Sequence, residues 1–213
     1  MANEISRRHA VDLTCPWFSR HSTPECRESR LELESAATRY TGVIYDIHID
    51  SMTGSYIDFP GHIAQTDDGR RADNVDLADF YRMDATAIHL DRTERPGGIT
   101  GAELEAACGG IPNTPAIIVH AMGAMEPMDI KFRSVWLTMD AVEWLIAVKC
   151  KVLISDAYES PDLEGVFLRL FQAGVVAVCE PYHLHKIPER IELTIGFMKL
   201  PATQVPCTLL AEF

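Results

Sequence analysis

Apolar and polar positions along the chain alternate in short blocks, and two periods account for most of them. HAVDLT (9–14) reads as a short strand. TGVIYDIHID (41–50) is rich in β-branched residues and alternates, so it predicts a strand. Side chains on a strand repeat every second residue. His48, Asp50 and Met52 therefore share one face, and Val43, Tyr45, Ile47 and Ile49 the other. Between these blocks, residues 18–40 show neither period and predict a polar, irregular surface excursion with a short helix at most.

The second half is more regular. ATAIHLD (85–91), PAIIVHAM (115–122), KVLISDA (151–157), VVAVCE (175–180), IELTIGFMKL (191–200) and CTLLAEF (207–213) predict strands. PAIIVHAM is a continuous apolar run, as in strands buried on both faces. Helices are predicted between them. Thr100 caps one, with Glu103 at the third position completing a capping box, and Gly109-Gly110 ends it. Thr138 caps a second, in which Val142, Leu145 and Ile146 form an apolar stripe. Asp162 caps a third, which stops at Gly174. Strands alternating with helices predict an α/β fold, a mixed or parallel sheet flanked by helices. The expected organisation is one domain over residues 1–213.

Composition narrows the classes. With 31 acidic against 19 basic residues the formal charge is −12, which argues against nucleic acid or an anionic membrane as partner. The six cysteines form no C-x-x-C pair and predict reduced thiols in a cytoplasmic protein. The opening residues lack the apolar stretch of a leader, and no apolar run approaches the length of a membrane span.

The chemistry concentrates in MTGSYIDFPGH (52–62). If the strand continues past the Gly-Ser turn, Tyr56 and Asp58 face the same way, with His62 four residues on, across a proline. His62 is a candidate general base, Asp58 a carboxylate to orient it, and Tyr56 a hydrogen-bond donor to a developing oxyanion. His48, Asp50 and Ser55 are candidates for binding substrate on the same wall. Each also has a structural reading: a turn cap for His62, an Asx turn for Asp58, a core aromatic for Tyr56. His183 and His185 alternate as a metal pair does, but a surface loop explains them equally. His89 and His120, on apolar strands, are expected to be satisfied by hydrogen bonds.

Four ordered blocks resemble the cyclase family, which includes bacterial kynurenine formamidases and isatin hydrolases. VDLTCP resembles its opening D-L-S/T-H-P, and TGSYIDFPGH its core H-x-G-T-H-x-D-x-P-x-H. TMDAVEWLIAVKCKVLISDA and FLRLFQAGVVAVCEPYHLHKIP resemble its later helix–strand blocks. The resemblance implies a swivelling β/β/α domain, a homodimer or larger homo-oligomer, and a small-molecule substrate. It also implies one or two Zn or Mn ions, held by histidines, an Asp and a Glu. Matched residue by residue, those positions hold Met52, Tyr56, Asp58, Phe167, and Cys179 or, one residue on, Glu180; His62 matches the third motif His and Cys15 an earlier one. A zinc-type site needs three or four N, O or S donors. The leading expectation is therefore an enzyme with no metal cofactor, using acid–base chemistry for cyclisation, dehydration, isomerisation, or lactone or lactam opening. The alternatives are a hydrolase with a rearranged single-metal site drawn from Asp58, His62, His48, Asp50 and Cys179, and a non-catalytic ligand-binding protein.

Overall fold

The computed structural model describes residues 9–213. The reading of no leader rests partly on residues 1–8, outside the described residues. Twelve strands and three α-helices follow in chain order: β1 Ala10–Asp12, β2 Glu25–Glu34, β3 Arg39–His48, β4 Tyr56–Asp58, β5 Met83–His89, β6 Gly97–Ile99, α1 Gly101–Cys108, β7 Ala116–His120, β8 Val135–Leu137, α2 Met139–Ala147, β9 Val152–Ser155, α3 Val166–Gln172, β10 Val176–Cys179, β11 Arg190–Phe197 and β12 Gln204–Glu212.

The main sheet runs β1-β12-β11-β5-β7-β9-β10-β4, and β4 also pairs with β12, closing the sheet into a barrel. The β5–β7, β7–β9 and β9–β10 pairs are parallel and the rest antiparallel. This is the mixed α/β sheet that the strand–helix alternation predicts. The period of two sorts its residues into two cores. Ala85, Ala87, Ile118, Ile154 and Val178 fall in one, with Ile57 and Phe59 of the β4 segment. Ile88, Ile117, Val119 and Leu153 fall in the other, packed with Leu104 of α1, Val142 and Leu145 of α2, and Leu170 of α3.

Helix boundaries follow local chemistry. Thr100 Oγ1 accepts from Glu103 N at 3.2 Å, and Gly109 ends α1 in the left-handed conformation. The box is half made, because the Glu103 carboxylate instead takes Arg92 Nη1 at 2.7 and 2.8 Å. Thr138 caps α2 through Ala141 N at 3.3 Å. Asp162 caps nothing. Residues 161–162 form a turn, and α3 starts at Val166, after Gly165 at φ +85°. Gly174, at φ +77°, follows its end.

The largest departure is at 18–40. Instead of an irregular excursion, β2 pairs with β3 over ten residues in an antiparallel arm, closed by Ser35 N to Thr38 O at 2.8 Å. Nearly every arm residue is exposed, including Leu31, Tyr40, Val43, Ile44, Tyr45 and Ile47. A strand wet on both faces has no burial to impose alternation, so β2 carries little of the period that marks β3 as a strand.

Candidate active site

Residues 52–62 reach the barrel wall through one close approach. Gly54 N donates to Phe18 O at 2.7 Å, and at φ +71° a Cβ on Gly54 would come within 2.9 Å of the Cys15 carbonyl oxygen. Ser55 is fully buried; its Oγ donates to Glu180 O at 2.7 Å and accepts from Cys15 N at 2.8 Å. The chain then enters β4, where the alternation decides function. Ile57 and Phe59 point into the core, and Phe59 packs edge-on to Phe80 and Phe197 at 6.3 and 5.8 Å. Tyr56 and Asp58 point the other way, into a cavity of about 790 Å³. That cavity is also lined by Met52, His62, Phe167, Cys179, Gln204, Arg133 and Tyr158. Residues 52–62 are therefore not packed shut, the arrangement a non-catalytic protein with a filled site would show.

Asp58 is 4% exposed. Its Oδ2 faces Cys179 Sγ at 3.9 Å, and its Oδ1 is buried without a hydrogen-bond partner. Across the strand pair lies Gln204, whose Nε2 is likewise unpartnered and whose Oε1 accepts from Ser51 Oγ at 2.5 Å. Burial pushes the Asp58 carboxyl up to about 7, against the smaller opposing pull of Gln204 and Cys179. Burial, with Cys179 and Asp58 alongside, holds the Tyr56 phenol well above its usual range. Cys179 is raised by burial and by the neighbouring Asp58, so it is an unreactive thiol.

His62 ends the turn at Pro60–His62 and sits edge-on to Phe171, ring centroids 6.4 Å apart. Burial lowers its pKa, leaving it neutral near pH 7. Among the described residues no hydrogen bond joins it to Asp58. The expected carboxylate–imidazole pair is thus two separate groups on one cavity wall, because the proline-containing turn carries His62 away from the strand.

The three expected substrate-binding residues lie elsewhere. His48 and Asp50 border a surface depression with Ser22 and Arg27. Asp50 is a turn organiser, accepting from Ser19 Oγ at 2.9 Å and Met52 N at 2.8 Å. Ser55 is the buried tie described above. The strand that was to carry His48 and Asp50 into the cavity leaves the barrel as the arm instead.

Glu180 is also displaced from the cavity. It follows β10 at φ +53° and is 3% exposed; its Oε1 takes Arg20 Nε at 3.1 Å and Arg133 Nη2. Cys179, one residue earlier, is the one that lines the cavity. His183 and His185 flank Glu126 at 3.9 and 3.8 Å. His89 and His120 bond to each other through Nδ1 at 2.7 Å, and His120 Nε2 reaches Gly123 O at 2.8 Å. Arg133, Tyr158, Leu163 and Leu168, absent from the sequence reading of the site, complete the cavity.

Among the described residues no group of three His, Cys, Asp or Glu is placed to hold a metal ion. The cavity brings together the Asp58 carboxyl and the His62 imidazole, beside the Cys179 thiol that burial keeps protonated, while Glu159 is tied to backbone N–H groups, Glu164 lies at the exposed rim, and Met52 and Phe167 offer a thioether and a phenyl ring. Three or four ionised or imidazole donors are what a zinc or manganese ion requires, so this donor set does not fit one.

The Cyclase family model matches residues 11–161, and the chain belongs to that family. A comparison with curated proteins returns no significant match. Solved structures similar to this chain include a predicted metal-dependent hydrolase from Bacillus stearothermophilus, 18% identical, TM-score 0.72, covering 97% of this chain and 99% of that one. Isatin hydrolase A from Ralstonia solanacearum is 18% identical at TM-score 0.72, covering 96% and 92%. An isatin hydrolase bound to the product analogue thioisatinate is 18% identical at TM-score 0.66, covering 97% and 92%. At this identity the likeness establishes the fold.

Proposed function

We propose that this Cyclase-family protein opens or closes an activated lactam or lactone ring by proton transfer, without a divalent ion, with Asp58 as the acid–base group. One observation carries the reading. A carboxyl group on the cavity wall is buried, has one oxygen without a partner, and is poised near pH 7. An acid–base catalyst works best when its pKa lies near the working pH. In the opening direction, Asp58 takes a proton from water as the water oxygen adds to the ring carbonyl. It returns that proton to the ring nitrogen or oxygen as the carbonyl–heteroatom bond breaks. Tyr56, protonated throughout, donates to the carbonyl oxygen as charge develops on it. His62, neutral at the same wall, accepts a hydrogen bond from the attacking water. The isatin hydrolases among the similar structures support a ring-opening reaction. We further propose that the protein works as a homo-oligomer, with the apolar side chains of the β2–β3 arm covered by a second copy.

The test is turnover of isatin and a panel of small lactams and lactones by protein dialysed against a chelator. The expected result is turnover that chelation leaves unchanged and that His62→Ala lowers by about ten-fold or more. Turnover that disappears on chelation and returns with zinc or manganese contradicts the proposal.

A further inference from the structure

Arg133 is the one Lys or Arg on the cavity wall among the described residues. Its guanidinium carbon sits over the Tyr158 ring, 3.7 Å from the centroid. Tyr158 is in turn fixed, its hydroxyl accepting from Glu180 N at 3.0 Å. Behind the guanidinium, Glu180 accepts from both Arg133 and Arg20, and Arg20 is otherwise tied to the carbonyls of Ile130 and Pro127. Two guanidiniums share one carboxylate, so the cluster carries one unneutralised positive charge. Arg133 spends one donor on Glu180; its Nε and Nη1 have no hydrogen-bond partner among the described residues.

Among the described residues, none of the acidic groups lining the same wall forms an ion pair with Arg133. Asp58 is protonated at mildly acid pH. Glu159 is turned onto the backbone, its Oε1 accepting from Ser160 N at 3.1 Å and Gly165 N at 3.2 Å. Glu164 is exposed at the rim. The rest of the wall is largely apolar, with Tyr56, Phe167, Ile63, Leu163 and Leu168 beside the polar side chains of His62, Gln65, Gln172 and Gln204. A planar donor held over an aromatic ring, with Nε and Nη1 uncommitted, beside such walls suits a flat ring that carries a carboxylate.

We infer that Arg133 is the carboxylate subsite of this cavity, holding the acid group of the open-ring form of an aromatic substrate. The inference rests on the ring-opening reading, because opening a lactam or lactone converts its carbonyl into a carboxylate. Arg133 then binds the open form more tightly than the closed, neutral ring.

Calorimetric titration with benzoate and its neutral analogue benzamide, near pH 6, tests this without turnover. The wild-type protein is expected to bind benzoate about ten-fold or more tightly than benzamide. Arg133→Met should lose that preference and keep benzamide binding within about two-fold, showing an intact cavity; Arg133→Lys should restore part of it. Equal affinities for the two probes in the wild type, no saturable benzoate binding, or unchanged benzoate binding in Arg133→Met overturns the inference. If Arg133→Met does not fold, the wild-type preference and Arg133→Lys decide it. Loss of the benzoate preference while chelator-resistant turnover persists removes the subsite alone. Loss of that turnover while the preference persists removes the reaction alone.

Discussion

Asp58→Asn is expected to abolish turnover and, at the same time, to make the protein more stable at alkaline pH. The amide has the size of the carboxyl and can still meet Gln204 and Cys179, but it cannot carry a proton through the reaction. Loss of the acid–base group lowers the rate by about 10²–10⁴-fold. The stability effect follows from the buried environment. Folding raises the Asp58 carboxyl from an ordinary 3.8 to about 7. The protonated form therefore suits the folded state. Its contribution is fully present below pH 3.8 and is lost as pH rises through about 7, where the folded protein must bury a charge. Over that window the wild type loses about 4 kcal/mol from this group, an upper figure, whereas Asp58→Asn loses none of it. Urea unfolding at pH 5 and pH 8 measures both. The variant's advantage should grow by about 2–3 kcal/mol between pH 5 and pH 8. An advantage that is constant with pH, or a variant as active as the wild type, contradicts the account.

Glu180→Ala is expected to cause the largest loss of stability, about 3–5 kcal/mol. The side chain is 3% exposed and holds Arg20 and Arg133 together. Its removal leaves two guanidiniums facing each other with no carboxylate between them, and removing one partner from a buried ion cluster leaves uncompensated charge. The melting temperature should fall by about 10 °C. Glu180→Gln keeps an oxygen acceptor and should fall less. A melt within about 2 °C of the wild type for Glu180→Ala would show that the cluster is solvated.

The parts of this architecture legible in the sequence are those whose signal is local. Thr100, Thr138, Gly109 and Gly174 mark helix ends through groups one to three residues away. The apolar run at β7 announces burial on both faces, and β9 and β10, read simply as strands, are buried likewise. The direction of Tyr56 and Asp58 follows from strand alternation once β4 exists. The rest depends on distant approach. β4 is three residues long and is held by β10 and β12, more than a hundred residues further on. Arg133 and Tyr158 reach the cavity from loops around β8 and β9, and nothing in their own neighbourhoods marks them. His48 and Asp50 misled for the opposite reason: alternation on β3 is real, but that strand leaves the barrel, so its polar face meets solvent.

Carbon-13 NMR titration of the Asp58 carboxyl in chelator-treated protein, assigned by its absence in Asp58→Asn, reads the central claim directly. A midpoint near 7 that zinc or manganese leaves unmoved is the predicted result. A midpoint at or below the ordinary 3.8, or a resonance that shifts when one equivalent of either ion is added, would contradict it.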